Sequence, residues 1–126
     1  MEKVPFFEFV ARCNADGMLQ MRAAFADAII NARRYRLYEL DGAARYRELL
    51  SIGYFCEQIR HDREAMSVYV DVVDNVMIDA SLRLSKGARR RLYMQAADGL
   101  MRLCCSPDEV VWESCTQMCD RWRDEL

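Results

Sequence analysis

Apolar residues recur at steps of three and four through almost the whole chain, in six runs separated by short polar breaks. Such spacing builds a helical stripe, because side chains three and four apart share one face. Pro5 suits the first turn of a helix running to about Asn14, where Asn14-Ala15-Asp16-Gly17 interrupts it. The second run, about Met18 to Leu37, carries Met18, Met21, Phe25, Ala28, Ile29 and Ala32, and Leu40-Asp41-Gly42 ends it with Asp41 placed to cap the next helix. A third, about Ala43 to His61, carries Leu49, Leu50, Gly53, Cys56 and Ile59. Asp62 is placed to cap the fourth, about Arg63 to Leu82, whose Ala65, Met66, Tyr69, Val70, Val72, Val73, Val76 and Met77 form a band wide enough to need cover on two sides. Its valines also permit a strand, but stripe spacing over about 20 residues, with no turn chemistry recognised inside it, favours a helix.

Ser85-Lys86-Gly87 opens the fifth run, about Ala88 to Cys105, with Tyr93, Ala96, Ala97, Leu100, Leu103 and Cys104. Ser106-Pro107-Asp108-Glu109 opens the sixth: a cap, a proline at the first helical position and acids behind it, followed by the stripe Val111, Cys115, Met118 and Trp122. The pattern predicts an all-α chain, one domain over residues 1–126, with six helices in three antiparallel hairpins. The hairpin from Leu49 to Val76 is the most sharply drawn, with Gly53 and Ala65 placed for close helix contact.

The hairpins echo one another. Gly53 and Ala97 lie 44 positions apart, and so do Asp62 and Ser106. At an offset of 45, Met66, Val70, Val73 and Met77 fall on Val111, Cys115, Met118 and Trp122. The first pair matches only at 41, with Ala65, Met66, Tyr69, Val70 and Val73 on Ala24, Phe25, Ala28, Ile29 and Ala32. Repetition of a two-helix unit is the mark of a stacked helical array.

Ile52-Gly53, Cys56, Ala65, Tyr69 and Val72 occupy the spacing of the small and large signature positions of the tetratricopeptide repeat, and the stretch Tyr46 to Asn75 resembles that family. Cys56 stands where the family has an aromatic, its usual proline after the second helix is missing, and Glu109 stands at the position equivalent to the small Ala65. The resemblance implies an α-solenoid of helix hairpins that binds other proteins. A compact six-helix bundle satisfies the same stripes.

Composition narrows the function. The 126 residues are 52% hydrophobic and 30% charged, enough to bury about two thirds of the unfolded surface. No apolar run approaches the length needed to span a bilayer, and the first residues lack a signal-peptide pattern, so an intracellular, cytoplasmic protein without membrane association is expected. A net charge of -2 gives no overall attraction to nucleic acid. The clusters Arg33, Arg34, Arg36 and Lys86, Arg89, Arg90, Arg91 keep an accessory nucleic-acid-binding role as a lesser alternative, although the first set suits a helix C-terminus and the second suits pairing with Asp71, Asp74 and Asp79. Cys13, Cys56, Cys104, Cys105, Cys115 and Cys119 sit in apolar stripes and read as buried thiols; Cys104, Cys105, Cys115 and Cys119 lack the turn-borne knuckles of a zinc site.

Neither a cofactor nor a metal is implied, and no enzyme is expected: His61 lies in an elbow, and phosphate loops and nucleophile elbows are absent. Trp122 suits either covering the core's end or anchoring a partner. In a hairpin stack the first helix of each pair lines the inner face. Arg47, Ser51, Tyr54 and Gln58 share one face of the third run, Arg91, Gln95, Asp98 and Arg102 repeat that spacing on the fifth, and Lys3, Phe7, Val10 and Asn14 are their counterparts on the first. These residues predict a groove for a partner protein or peptide, with an acidic one favoured by the arginines, in an adaptor or scaffold that joins a larger assembly or associates with itself. The alternative is a compact helical regulator that takes an amphipathic helix of its partner.

Overall fold

The computed structural model describes residues 23–125. Among them the chain is all helical, with five α-helices: α1 (Ala23–Arg36), α2 (Gly42–Gln58), α3 (Asp62–Asn75), α4 (Lys86–Leu103) and α5 (Glu109–Glu125). A 3-10 turn, Leu37–Glu39, follows α1. The helix expected over residues 5–14, with Lys3, Phe7, Val10 and Asn14, lies outside the described residues, as does Cys13.

Each helix packs on its neighbours in the chain, α2 packs on α4, and α3 packs on α5. Polar ties set the directions. Glu57 near the end of α2 meets Arg102 near the end of α4, while Arg63 at the start of α3 meets Asp108 just before α5. Thus α2 and α4 run in one sense and α3 and α5 in the other. The wide band of α3 is covered from both sides: Ala65, Val68, Tyr69 and Val72 are buried against Phe55 and Cys56 of α2 and Leu100 of α4. Arg33, Arg34 and Arg36 do end α1, where cations suit the helix dipole. Arg33 and Arg34 also reach Glu48 of α2 and Glu64 of α3 at 3.6 and 2.7 Å.

The ends differ from expectation for identifiable reasons. α3 stops at Asn75 rather than near Leu82. The Asn75 amide folds back onto Asp71, and the Asp79 carboxylate accepts from both the backbone N–H and the hydroxyl of Ser81, a local turn that competes with the helix. Arg89 of α4 then donates to the freed carbonyls of Val76, Asp79, Leu82 and Leu84 at 3.1, 2.8, 2.5 and 3.4 Å. Of the expected pairing of Arg89, Arg90 and Arg91 with Asp71, Asp74 and Asp79, the attraction of Arg89 for Asp79 is present, but Arg89 gives its hydrogen bonds to backbone oxygens, because a fork of donors fits converging carbonyls.

Caps are corrected too. Asp41 occupies the cap of α2 without a side-chain hydrogen bond. Asp62 is the buried first residue of α3 and accepts from Ser106 Oγ at 2.5 Å instead of capping. Asp108, not Ser106, caps α5, accepting from Val110 and Val111 N–H at 3.0 and 3.4 Å, so Pro107 precedes the helix. Ser85 caps α4 through Ala88 N–H at 3.1 Å. Arg60 closes α2 with a left-handed backbone, φ 64°, while His61 N–H reaches back to Cys56 O at 2.8 Å. No helix of the described residues is long and apolar enough to cross a membrane.

Candidate partner-binding cleft

The line between α2 and α4 is set by one ring. Tyr69 projects from α3 between the two helices, and glycine faces it from each side. A Cβ added at Gly53 would stand 2.6 Å from the ring, and one at Gly99 would stand 2.5 Å from it. Both distances are shorter than any side chain tolerates, so the helices approach this closely only because both positions lack a side chain. The ring is 2% exposed. Its hydroxyl donates to Glu57 Oε2, and Arg102 holds the same carboxylate through Nε and a terminal nitrogen, both at 2.9 Å. Burial first, and the Glu57 carboxylate second, hold the Tyr69 hydroxyl well above its usual pKa. Glu57 holds the Arg102 guanidinium above its own.

Over this seam lies a cleft of about 300 Å³, lined by Leu50, Tyr54, Tyr69, Gln95, Asp98 and Arg102. Past the Glu57–Arg102 pair it is continued by a second cavity of about 450 Å³, which shares Arg102 and adds Gln58, Arg60, Asp62, Cys105 and Ser106. Of the eight residues predicted to bind a partner, Tyr54, Gln95, Asp98 and Arg102 meet in the first cleft, and Gln58 lines the second. Ser51 departs from the expected surface: it is buried, with its hydroxyl donating to Arg47 O at 3.0 Å. Helix rotation explains this, since Leu50 and Tyr54 take the cleft side and Ser51 turns toward the core. Arg47 and Arg91 are exposed, two turns from Tyr54 and Asp98 respectively on the same stripes. Exposed Met94 and Met101 flank that face of α4.

Glu57 and Gly99 belong to this site although the stripes do not mark them, and Tyr69, marked as part of the α3 stripe, was not expected to line it. The sequence spacing holds a signal, because Glu57 and Arg102 lie 45 positions apart and Asp62 and Ser106 lie 44 apart, and each pair is joined. Gly53 aligns with Ala97 in the sequence, whereas its structural partner across Tyr69 is Gly99.

Elsewhere the chemistry is quiet. His61 Nδ1 lies 3.6 Å from Asp27 of α1 in the elbow. Cys56 and Cys115 are fully buried, and burial pushes each thiol up to about 12, so neither is a ready nucleophile at neutral pH. Cys104 and Cys119 are half-buried, while Cys105 is exposed and so departs from the expected set of core thiols. Among the described residues no group of three or more His, Cys, Asp or Glu is arranged to hold a metal. Trp122 is half-buried beside Tyr93, ring centroids 6.3 Å apart, and packs on the core, whereas Trp112 is exposed.

Compared with protein-family models, with curated proteins and with solved structures, the chain matches none of them. The tetratricopeptide resemblance therefore rests on the residues that suggested it.

Proposed function

We propose that this chain is a small tetratricopeptide-like interaction module, an adaptor or assembly subunit that is not an enzyme and binds an extended acidic segment of a partner protein in the cleft between α2 and α4. The observation that carries this reading is the convergence of Tyr54, Gln95, Asp98 and Arg102 from two helices into one open cleft. Tyrosine, methionine and arginine are residues that interfaces favour, since they give contact area and directed hydrogen bonds together. Arg47 and Arg91 form no ion pair among the described residues and supply unspent positive charge at its rim. Arg102 is the opposite case, because Glu57 already compensates it.

The order of packing supports a stack. Consecutive and next-but-one helices touch, and no substantial packing closes α2 onto α5 among the described residues, as it would in a ring-closed four-helix bundle. Three hairpins in that stack would need the helix expected over residues 5–14. The alternative, a compact regulator that takes an amphipathic helix, draws on Met94, Met101, Val110 and Trp112, each more than two fifths exposed. A nucleic-acid role has less behind it, with Arg33, Arg34 and Arg89 already engaged.

The test is affinity capture from cell extract followed by mass spectrometry, comparing the wild type with Arg47→Glu/Arg91→Glu. A partner with an acidic segment should be captured, and the double reversal should weaken its binding at least about tenfold, the effect of about 1.4 kcal/mol. Unchanged capture by a reversal variant of native helix content rules the cleft out.

A further inference from the structure

Near the C-terminal end of α4 the sequence places three thiols within reach of one another that the proposed cleft does not use. Cys104 caps the end of α4, its N–H bonded to Met101 O at 3.2 Å, and Cys115 and Cys119 stand one turn apart on α5. The Cys104 and Cys119 sulfurs lie 3.5 Å apart, and Cys104 Sγ is also 3.5 Å from Leu100 O. A disulfide requires sulfurs at about 2.05 Å, so closing this pair takes about 1.5 Å of approach, which rotation about two flexible χ1 bonds can supply.

We propose that Cys104 and Cys119 form a reversible disulfide that fastens the end of α4 to α5. The pair is selected by geometry against its neighbours. Cys115 is fully buried and closed to a reagent, and Cys105 is exposed at the end of α4, one residue past the thiol that faces α5. Both members of the pair are half-buried, reachable by a small disulfide such as oxidised glutathione. The chemistry balances as two exchanges. One thiolate attacks a sulfur of the oxidant to give a mixed disulfide and releases one glutathione thiol; the second cysteine gives up its proton, attacks the protein-bound sulfur, and releases the other. The protein loses two electrons and two protons, and glutathione disulfide becomes two thiols. Burial, together with Cys104, holds the Cys119 thiol at about 11, which makes the first exchange slow and an equilibrium measurement the right one.

The bridge would close a chain separation of 15 residues. A loop of that size raises the melting temperature by about 5 to 10 °C when the bridge fits without strain.

The experiment incubates the full chain with glutathione disulfide, blocks the remaining thiols, and digests before Asp98, Asp108 and Asp120, which separates Cys104 and Cys105 from Cys115 and Cys119. The two fragments should remain linked, tandem mass spectrometry should place the link at Cys104 and Cys119, and a dithiol reductant should release it. Cys115→Ser and Cys105→Ser should keep the link and the rise in melting temperature; Cys104→Ser and Cys119→Ser should lose both. Links at Cys105 or Cys115, or glutathione retained separately on Cys104 and Cys119 in the folded chain, would overturn the proposal. Mapping of the wild type decides the matter even if a serine variant does not fold.

Discussion

Two tyrosines, Tyr69 and Tyr46, do the same chemical thing in different settings. Each is buried, and each donates its hydroxyl to a carboxylate: Tyr69 to Glu57, and Tyr46 to Asp79 at 2.6 Å. Tyr69 lies within a seam between regular helices, clasped by Gly53 and Gly99. Tyr46 instead reaches from the start of α2 to the connection after α3, where Ser81 shares Asp79 and Arg89 gathers the carbonyls. The first region is held by shape, since nothing larger than hydrogen fits beside the ring. The second is held by hydrogen bonds, since a stretch without a helical ladder needs other partners for its backbone. A steric lock fails when an atom is added; a polar clasp fails when one is taken away.

The largest effect should come from adding a methyl group to the seam. Gly99→Ala places a Cβ against the Tyr69 ring and should cost about 3 kcal/mol despite the better helix propensity of alanine, as read by denaturant unfolding. Gly87→Ala on the same helix, with nothing within 4 Å of the added atom, should be neutral or mildly stabilising. Equal costs at the two glycines would remove the steric account.

Next comes the clasp. Arg89→Ala strips the donors from four carbonyls and should cost about 2 kcal/mol, with faster amide hydrogen exchange concentrated in residues 76–85. Exchange rising equally along α2 would mean that the connection is not a separate unit.

The smallest effect separates the hydroxyls from the rings. Tyr69→Phe and Tyr46→Phe should each cost about 1 kcal/mol at neutral pH. Burial first, then the facing carboxylate, raises both hydroxyls above their unfolded pKa of about 10. Because the folded values are the raised ones, this contribution is complete below about pH 10 and drains away as pH climbs from there toward the folded values. The wild type should lose stability on that alkaline limb, and each phenylalanine variant should flatten it. A limb unchanged in both variants would show that other groups cause it.

The all-helical class was legible because apolar stripes report the helical period directly. The close approach at Gly53 was legible as well, from a lone glycine in such a stripe. Its counterpart is harder to find: Gly99 lies two residues from Ala97, and only the position of the Tyr69 ring in space selects between them. The premature end of α3 is hidden because Val70, Val72, Val73 and Val76 carry the stripe up to a turn built by Asp79 and Ser81, whose side chains compete for the backbone only locally. Ser51 shows the same difficulty at the cleft, since a face drawn at steps of three and four is wide enough to include a residue that rotates into the core. Of the two pairs spaced 44 apart in the sequence, Asp62 and Ser106 touch, whereas Gly53 faces Gly99 rather than Ala97 across the Tyr69 ring.

Those contacts have a mechanical consequence. Glu57 with Arg102, Asp62 with Ser106, and Arg63 with Asp108 all lie where one hairpin bends and the next bends beside it. The opposite ends are tied through an intermediary instead: Tyr46 near the start of α2 and Arg89 near the start of α4 both hold the connection after α3, so the span from Arg47 to Arg91 follows that connection. A change in that connection would register as a change in the spacing of two exposed arginines, while the far end stayed pinned.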